Sequence, residues 1–378
     1  MTRIRTLLAP REVPLKITQP IPDYILPQEV FSFVPTELVV NFENGDRERK
    51  IHTNTEYTDE ELQRVIKFLE LFAAQGTPVS PYVLSCTTRF ISRAREDVEE
   101  GLNLATNTQK WRSEFFFDTA GVPTPLVDDP SNKWMQMAKE GAIYFCGRDK
   151  HLRPILVLRP SRIKSEWHNE DDCDEFIKML VFYNEFMIRY MLVPGVVENL
   201  SVIFDCDGIQ IGWNTASMAK QINTVLSGHY NGRVFRFFVA NPPWMMSVLM
   251  GIAKPLLSAR QQAKITILNS SGDGMKPLWD TIAPSQLEEK YGGTREEVTS
   301  FYPIEMPPGP FEPVISDGVE VEPNFDAPKD CYKRLSEFNE VGPLILNPEK
   351  SRDSTPIERM ERNKPVDGNF DVSHLVID

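Results

Sequence analysis

From about residue 140 the chain alternates short β-rich runs with stretches long enough for helices, and that alternation leaves few folds open. The runs are "AIYF" (142–145), "PILVL" (154–158), "LSVIFD" (200–205), "VFRFFVA" (234–240) and "KITIL" (264–268), with apolar helical patterns over 174–193 and 214–228 among them. Strands joined by helix-length connections must cross over rather than turn straight back. The expectation is therefore an α/β domain with a mainly parallel sheet and flanking helices.

Upstream the period changes to that of helices. In "TDEELQRVIKFLELFAAQG" Thr58 and Glu61 fit a capping box, Leu62, Val65, Ile66, Leu69 and Phe72 share one face, and Gly76 can end the helix. Two more helices are expected at about 81–93 and 97–115, the second opened by Asp97. Residues 57–125 thus read as an N-terminal helical lobe ahead of the α/β domain at 126–309. Residues 1–56 are punctuated by proline and read as an extended arm or small β-element, with Asn44-Gly45 as a hairpin turn. Residues 310–378, rich in proline and acids, read as a mostly flexible tail in which Thr355-Pro356 is a possible phosphorylation site.

A formal charge of −13 without a basic run argues against nucleic acid as a partner and weakens charge-driven docking on anionic lipid. Five scattered cysteines lack CxxC pairs, and five histidines lack an i, i+4 pair, so no zinc module, disulfide framework or other metal site is expected. The amino terminus meets Pro10 before any long apolar run, and Lys178, Glu185 and Arg189 interrupt the most apolar helix. A cytoplasmic monomer is the expectation.

Two segments carry candidate chemistry. In "VIFDCDGI" Asp205, Asp207 and Gly208 follow an apolar strand and resemble the nucleophile motif of haloacid-dehalogenase-like magnesium phosphatases, with Asp273 of "SSGDGM" a potential metal ligand. Met275-Lys276-Pro277 breaks that second motif, and acidic residues with glycine also end strands at simple turns. The other segment, "PPWMMSVLMGIAKP" (242–255), places Ser247, Gly251 and Lys254 on one thin stripe of an otherwise apolar helix expected at 243–256. Such a helix is either enclosed in a core or alternates between an apolar pocket and a membrane, and methionine's flexible thioether suits changing partners.

The ordered series "RFISRAREDVEEGLNLATNTQKWR" (89–112), "DKHLRPILVL" (149–158), "NLSVIFDCDGI" (199–209), "YNGRVFRFFVANPPWMMSVLMGIAKPLLSARQQAKITIL" (230–268) and "IAPSQLEEKYGGT" (282–294) resembles the CRAL-TRIO lipid-binding family. Within it the likeness is to the phosphatidylinositol/phosphatidylcholine transfer group. The resemblance implies a mainly parallel sheet flooring a hydrophobic pocket, an N-terminal helical lobe, and a gate helix bearing Trp244, Met245, Met246, Val248, Leu249, Met250 and Ile252. It implies no catalytic residue, no metal and no cofactor other than a bound lipid, and it reassigns Asp205 and Asp207 to a strand end.

By the same resemblance Arg95 and Lys264 match the positions that contact an inositol phosphate, while Glu96 and Gly232 replace a basic residue and a glutamate of the family. The hydroxyl pair that receives phosphocholine falls on Leu200 and Val202, which cannot donate. Strand alternation places Leu200, Val202 and Phe204 on one face and Phe235, Phe237 and Val239 on another strand's face, giving an expected pocket wall. The implied partners are a phospholipid or other hydrophobic lipid and a transiently contacted membrane, with protein partners open to the 1–56 arm or the tail. A lipid sensor that presents cargo without transferring it is the alternative within the same fold.

Overall fold

The computed structural model describes residues 12–22, 25–27, 29–30, 33–35, 38–42, 45–53, 55, 57–164, 170–209, 215–269, 272–309, 311, 315–316 and 319–320. Asn44, Ser270, Ser271 and Thr355-Pro356 lie outside them, as do the side chains of Leu249 and Ile252.

The arm contributes β1 (Leu15–Lys16) and the antiparallel hairpin β2 (Val39–Asn41) and β3 (Arg47–Arg49). Gly45 closes the hairpin at φ +78, donating to the Phe42 carbonyl at 2.9 Å. Helix α1 (Asp59–Ala74) starts with the expected Thr58/Glu61 capping box and buries Val65, Phe68, Leu69 and Phe72. The pattern at 81–93 resolves into two helices, α2 (Pro81–Ser85) and α3 (Thr87–Arg93), because Cys86 at φ −101, ψ 7 leaves helical geometry between them. Asp97 caps α4 (Val98–Phe116) by accepting from Glu99 and Glu100 N–H. These helices share one apolar core.

Strand β4 (Leu126–Val127) pairs in parallel with β1, so the arm is stitched to the connection between lobe and domain. After α5 (Lys133–Lys139) the main sheet follows in the order β5 (Ile143–Arg148), β6 (Pro154–Leu158), β7 (Leu200–Asp205), β8 (Val234–Ala240) and β9 (Ile265–Ile267). Only the β5–β6 pair is antiparallel; the other neighbours run parallel, as the helix-length connections require. Those connections are α6 (Glu170–Tyr190), α7 (Thr215–His229), and the pair α8 (Met246–Ala253) and α9 (Ala259–Gln262).

Each sheet face has its own core. Helix α6 covers one with Met179, Leu180, Tyr183 and Met187 against Leu200 and Val202. The segment after β9 covers the other, with Leu278 of α10 (Lys276–Thr281), Leu287 and Tyr291 against Ile203 and Phe238. Its Lys290-Tyr291-Gly292-Gly293 run is shaped by contact: Gly292 sits at φ +81 under the Trp279 ring, and a Cβ at Gly293 would lie 1.8 Å from the Leu287 carbonyl oxygen. Since that neighbour is backbone and cannot swing aside, Gly293→Ala is expected to cost about 2 kcal/mol or more, read as a lowered urea midpoint.

Candidate functional site

A cavity of about 1230 Å³ opens between the sheet, α6, α7 and α8, which exceeds the roughly 300–1,000 Å³ of ordinary small-molecule sites. The sheet floors it with Leu158, Phe204, Val234, Phe237, Val239 and Ile265. The Phe204 and Phe237 rings stack there at 5.9 Å. Phe176 and Leu180 of α6 and Met218, Ile222 and Leu226 of α7 form the opposite wall.

Part of the expected pocket wall is elsewhere. Phe237 and Val239 do line the cavity, whereas Leu200 and Val202 are 2% and 3% exposed in the core beneath α6. Phe235 packs under the arm's hairpin with Val40 and Phe42 and against the Arg153 guanidinium. The cause is a β-bulge: Leu200 pairs with Val234 but Ser201 pairs with Arg236, so Phe235 is the extra residue and strand alternation restarts after it. Val234 thereby takes the cavity-facing place that strict alternation gave to Phe235.

Helix α8 is shorter than the 243–256 expectation. Pro242 and Pro243 delay its start, and Pro255 confines the end to a 3-10 turn at Lys254–Leu256. Met246, Met250 and Ala253, at i, i+4 and i+7, point into the cavity, while Ser247, Gly251 and Lys254 face outward. Trp244 is 91% exposed and Val248 52%, and Met245 is half-buried beside them. One helix therefore lines the pocket and also presents bulky apolar groups to the outside.

Both ends of this helix are anchored. Asn241, at φ +50, donates its side-chain amide to Asp205 Oδ1 at 2.8 Å. Asn223 of α7 donates to the Leu256 carbonyl at 2.7 Å and accepts from Gln261 at 3.1 Å. Asp205 also accepts from Tyr291 Oη at 2.8 Å and the Asp207 N–H at 3.0 Å, and lies 3.2 Å from Arg159 Nε. A buried carboxylate with these partners is a latch at the strand end, not a nucleophile free to attack phosphorus. Asp273 is exposed, and among the described residues no three His, Cys, Asp or Glu side chains gather as a metal site would need.

The polar end of the cavity is built from α3, the hairpin and β9. Lys264 is 7% exposed and reaches both oxygens of Glu48, at 2.7 and 2.9 Å. Lys50 holds the same carboxylate at 2.7 Å. Burial pushes the Glu48 carboxyl up, but the two ammonium groups outweigh it and leave its pKa below the usual value. Burial pushes Lys50 well down, and the Lys264 charge adds to that. Arg89 pairs with Glu198 and Arg260 bonds Asp46 through two 2.9 Å contacts, so these two lining arginines are matched by carboxylates, whereas Arg233 donates to the Glu198 backbone carbonyl at 3.2 Å.

The arginine that α3 turns toward this end is Arg93, not Arg95. Arg93 lines the cavity and, among the described residues, has no ion-pair partner. Burial, followed by the Arg260 charge, pulls its pKa down. Arg95 and Glu96 follow the helix at φ +53 and +72, and this left-handed turn carries Arg95 into a separate depression of about 190 Å³ with Arg47 and Arg64. Arg93 and Glu48 are among the site residues that sequence reasoning missed. The expected helix end at about 93 could have signalled the first; the second is contributed by a segment 216 positions from Lys264.

A mainly parallel sheet with a large, mostly apolar cavity on the α6 side is the setting in which residues 138–293 match the CRAL/TRIO domain. Among curated proteins the chain is similar to the SEC14 cytosolic factor of Kluyveromyces lactis, 27% identical over 221 residues that cover 56% of this chain and 71% of that protein. The SEC14 cytosolic factor of Candida glabrata is 25% identical over an equal length, with the same shares. The solved structure of Sfh5 superposes with a TM-score of 0.47 at 11% identity, covering 66% of this chain and 96% of that one, a likeness too loose to add to the fold described above. No helix among the described residues is long and apolar enough to cross a membrane.

Proposed function

We propose that the protein takes one lipid into this cavity and exchanges it at membrane surfaces, with α8 as the moving lid. The observation that carries the reading is the double character of α8 and the turn that leads into it: Met246 and Met250 line a largely apolar cavity while Trp244 and Val248 face outward. A two-chain lipid holds roughly 30 methylenes, and at about 0.8 kcal/mol each their exposure to water costs on the order of 20 kcal/mol. Release into solvent is thus negligible, whereas passage from bilayer to apolar pocket is nearly neutral. Exchange belongs at a membrane with the lid open.

The cargo we favour is phosphatidylinositol. Its single phosphate suits the basic end formed by Lys264 and Arg93, and Arg93 takes the role that the sequence assigned to Arg95. Phosphatidylcholine lacks its hydroxyl donors, since Leu200 and Val202 replace them and lie in the core beneath α6. The protein is expected to work in the cytoplasm as a peripheral visitor to membranes. Native mass spectrometry of the purified full-length protein should show a mass increment of one phospholipid per chain, identified after organic extraction. A protein that stays lipid-free after incubation with phosphatidylinositol-containing vesicles would sink the proposal.

A further inference from the structure

The connection that ends the lid is stiff. Behind α8 the 3-10 turn Lys254–Leu256 contains Pro255, whose ring fixes φ, and Gln262 of α9 donates its side-chain amide to the Lys254 and Leu257 carbonyls at 3.3 and 3.0 Å. A Ser258/Gln261 capping box then opens α9 at once. Few torsions between the two helices remain free to absorb a swing, so α9 is carried along with α8. Whatever restrains α9 restrains the lid.

The arm's hairpin restrains it. Arg260 of α9 donates to both oxygens of Asp46, next to Gly45 in the hairpin turn, at 2.9 Å each, and to the Ser92 carbonyl of α3 at 2.7 Å. The two side chains are 12% and 22% exposed, and bidentate, charge-assisted pairs of this kind are among the stronger side-chain bonds. Asn223 of α7 adds neutral hydrogen bonds to the same turn. The hairpin has its own footing, because His52 and Thr53 donate backbone N–H groups to Glu198 at 3.1 and 2.9 Å. Past α9 the chain is fixed to the sheet: the Lys264 carbonyl accepts from the Phe237 N–H at 3.0 Å, and its ammonium stays on Glu48. A swing of α8 and α9 therefore pivots at Ala263 and has the Asp46–Arg260 pair across its path.

We propose that this pair is the catch of the lid. The arm, which lies far outside the stretch matching the CRAL/TRIO domain, holds α9 shut, and Asp46 and Arg260 must part before the cavity opens. This rests on the lid reading above and deepens it, since it places the barrier to opening in the N-terminal arm. Weakening the pair lowers that barrier and leaves the pocket as it was, because Asp46 does not line the cavity.

The test compares full-length wild type with Asp46→Asn, which removes the charge and keeps the size of the side chain. Amide hydrogen exchange of Gln262 and Ala263, whose N–H groups are bonded to the Ser258 and Ala259 carbonyls, should speed up by about fivefold or more. Transfer of a fluorescent phosphatidylinositol between vesicles should rise by a similar factor at unchanged lipid occupancy. Arg260→Gln breaks the same pair from the lid's side and should match Asp46→Asn in amide exchange. Arg47→Gln, at the neighbouring residue whose ion pair is with Glu96, should change neither quantity. Unchanged amide exchange in Asp46→Asn and Arg260→Gln, or faster exchange without faster transfer in Asp46→Asn, overturns the catch, while lipid capture by wild type upholds the pocket. Wild type that neither carries nor transfers lipid overturns the lid reading and this inference together.

Discussion

Replacing Arg112 with alanine is expected to lower the unfolding free energy by about 3–5 kcal/mol at neutral pH, the largest single-residue stability loss foreseen for this chain. Arg112 lies on α4 and is fully buried. Its Nε donates to Glu12 of the arm at 2.6 Å and its Nη1 to Glu185 of α6 at 2.7 Å. Its guanidinium also lies 3.8 Å from the Tyr82 ring centroid and 4.9 Å from that of Phe116. Arm, lobe and domain therefore meet on one cation.

The size of the effect comes from what stays behind. Glu185 is fully buried; burial pushes its pKa up, but Arg112 first and Arg189 second outweigh it and hold the carboxyl below its usual value. Without Arg112 that carboxylate keeps the Tyr230 hydroxyl and the more distant Arg189, at 3.6 Å, and must protonate or take in water. A depressed carboxyl pKa contributes stability that is complete above the unfolded value of about 4.5 and is lost as pH falls through the folded value. The gap between wild type and variant should accordingly be widest at neutral pH and shrink on acidification below about pH 4.5. Arg112→Met combined with Glu185→Gln should recover part of the loss, because the fully buried Glu185 is then no longer left as an unpaired charge. Urea unfolding at several pH values measures both effects; equal losses at pH 7 and pH 3 would argue that packing on Tyr82 and Phe116, not charge, is what Arg112 supplies.

The same network shows what the sequence could and could not disclose. Period and capping made the helices and parallel strands legible, since Thr58, Asp97 and the apolar spacing of 174–193 act over a few residues. The apolar excess of 242–255 was legible too, because it is a property of one short segment, but composition left an enclosed core helix and a gate both open. Residue orientation failed where the backbone departs from its period. The bulge at Phe235 turns one pocket residue to the other face, and the left-handed pair Arg95-Glu96 moves one arginine out of the site and leaves Arg93 in it. Partnerships such as Glu48–Lys264 and Glu12–Arg112 were hidden because they join distant segments, 216 and 100 positions apart. Nothing in the composition of the arm marks Glu48 or Glu12 as the acid that will be buried.

Trp244→Glu is expected to cut vesicle-to-vesicle lipid transfer by about tenfold or more while leaving the fold untouched. Trp244 is 91% exposed, so a substitution there should change the unfolding free energy by no more than about 0.5 kcal/mol. At a membrane the same side chain would bury its ring in the interface, worth roughly 1.5–3 kcal/mol, and a glutamate there is repelled as well as unburied. Because Trp244 does not line the cavity, lipid already bound should stay bound, and only the exchange step should slow. Met246→Glu separates the two faces of the lid. Met246 lines the cavity, so its carboxylate would be carried into apolar surroundings when the lid closes, and both lipid occupancy and transfer should fall. Transfer of a fluorescent lipid between vesicles, set beside native mass spectrometry of the bound lipid, reads the two quantities separately. If Trp244→Glu transfers as fast as wild type, the outward face of α8 does not enter the membrane and another surface must open the cavity. If Met246→Glu keeps full occupancy, the inner face of α8 is not a wall of the occupied pocket.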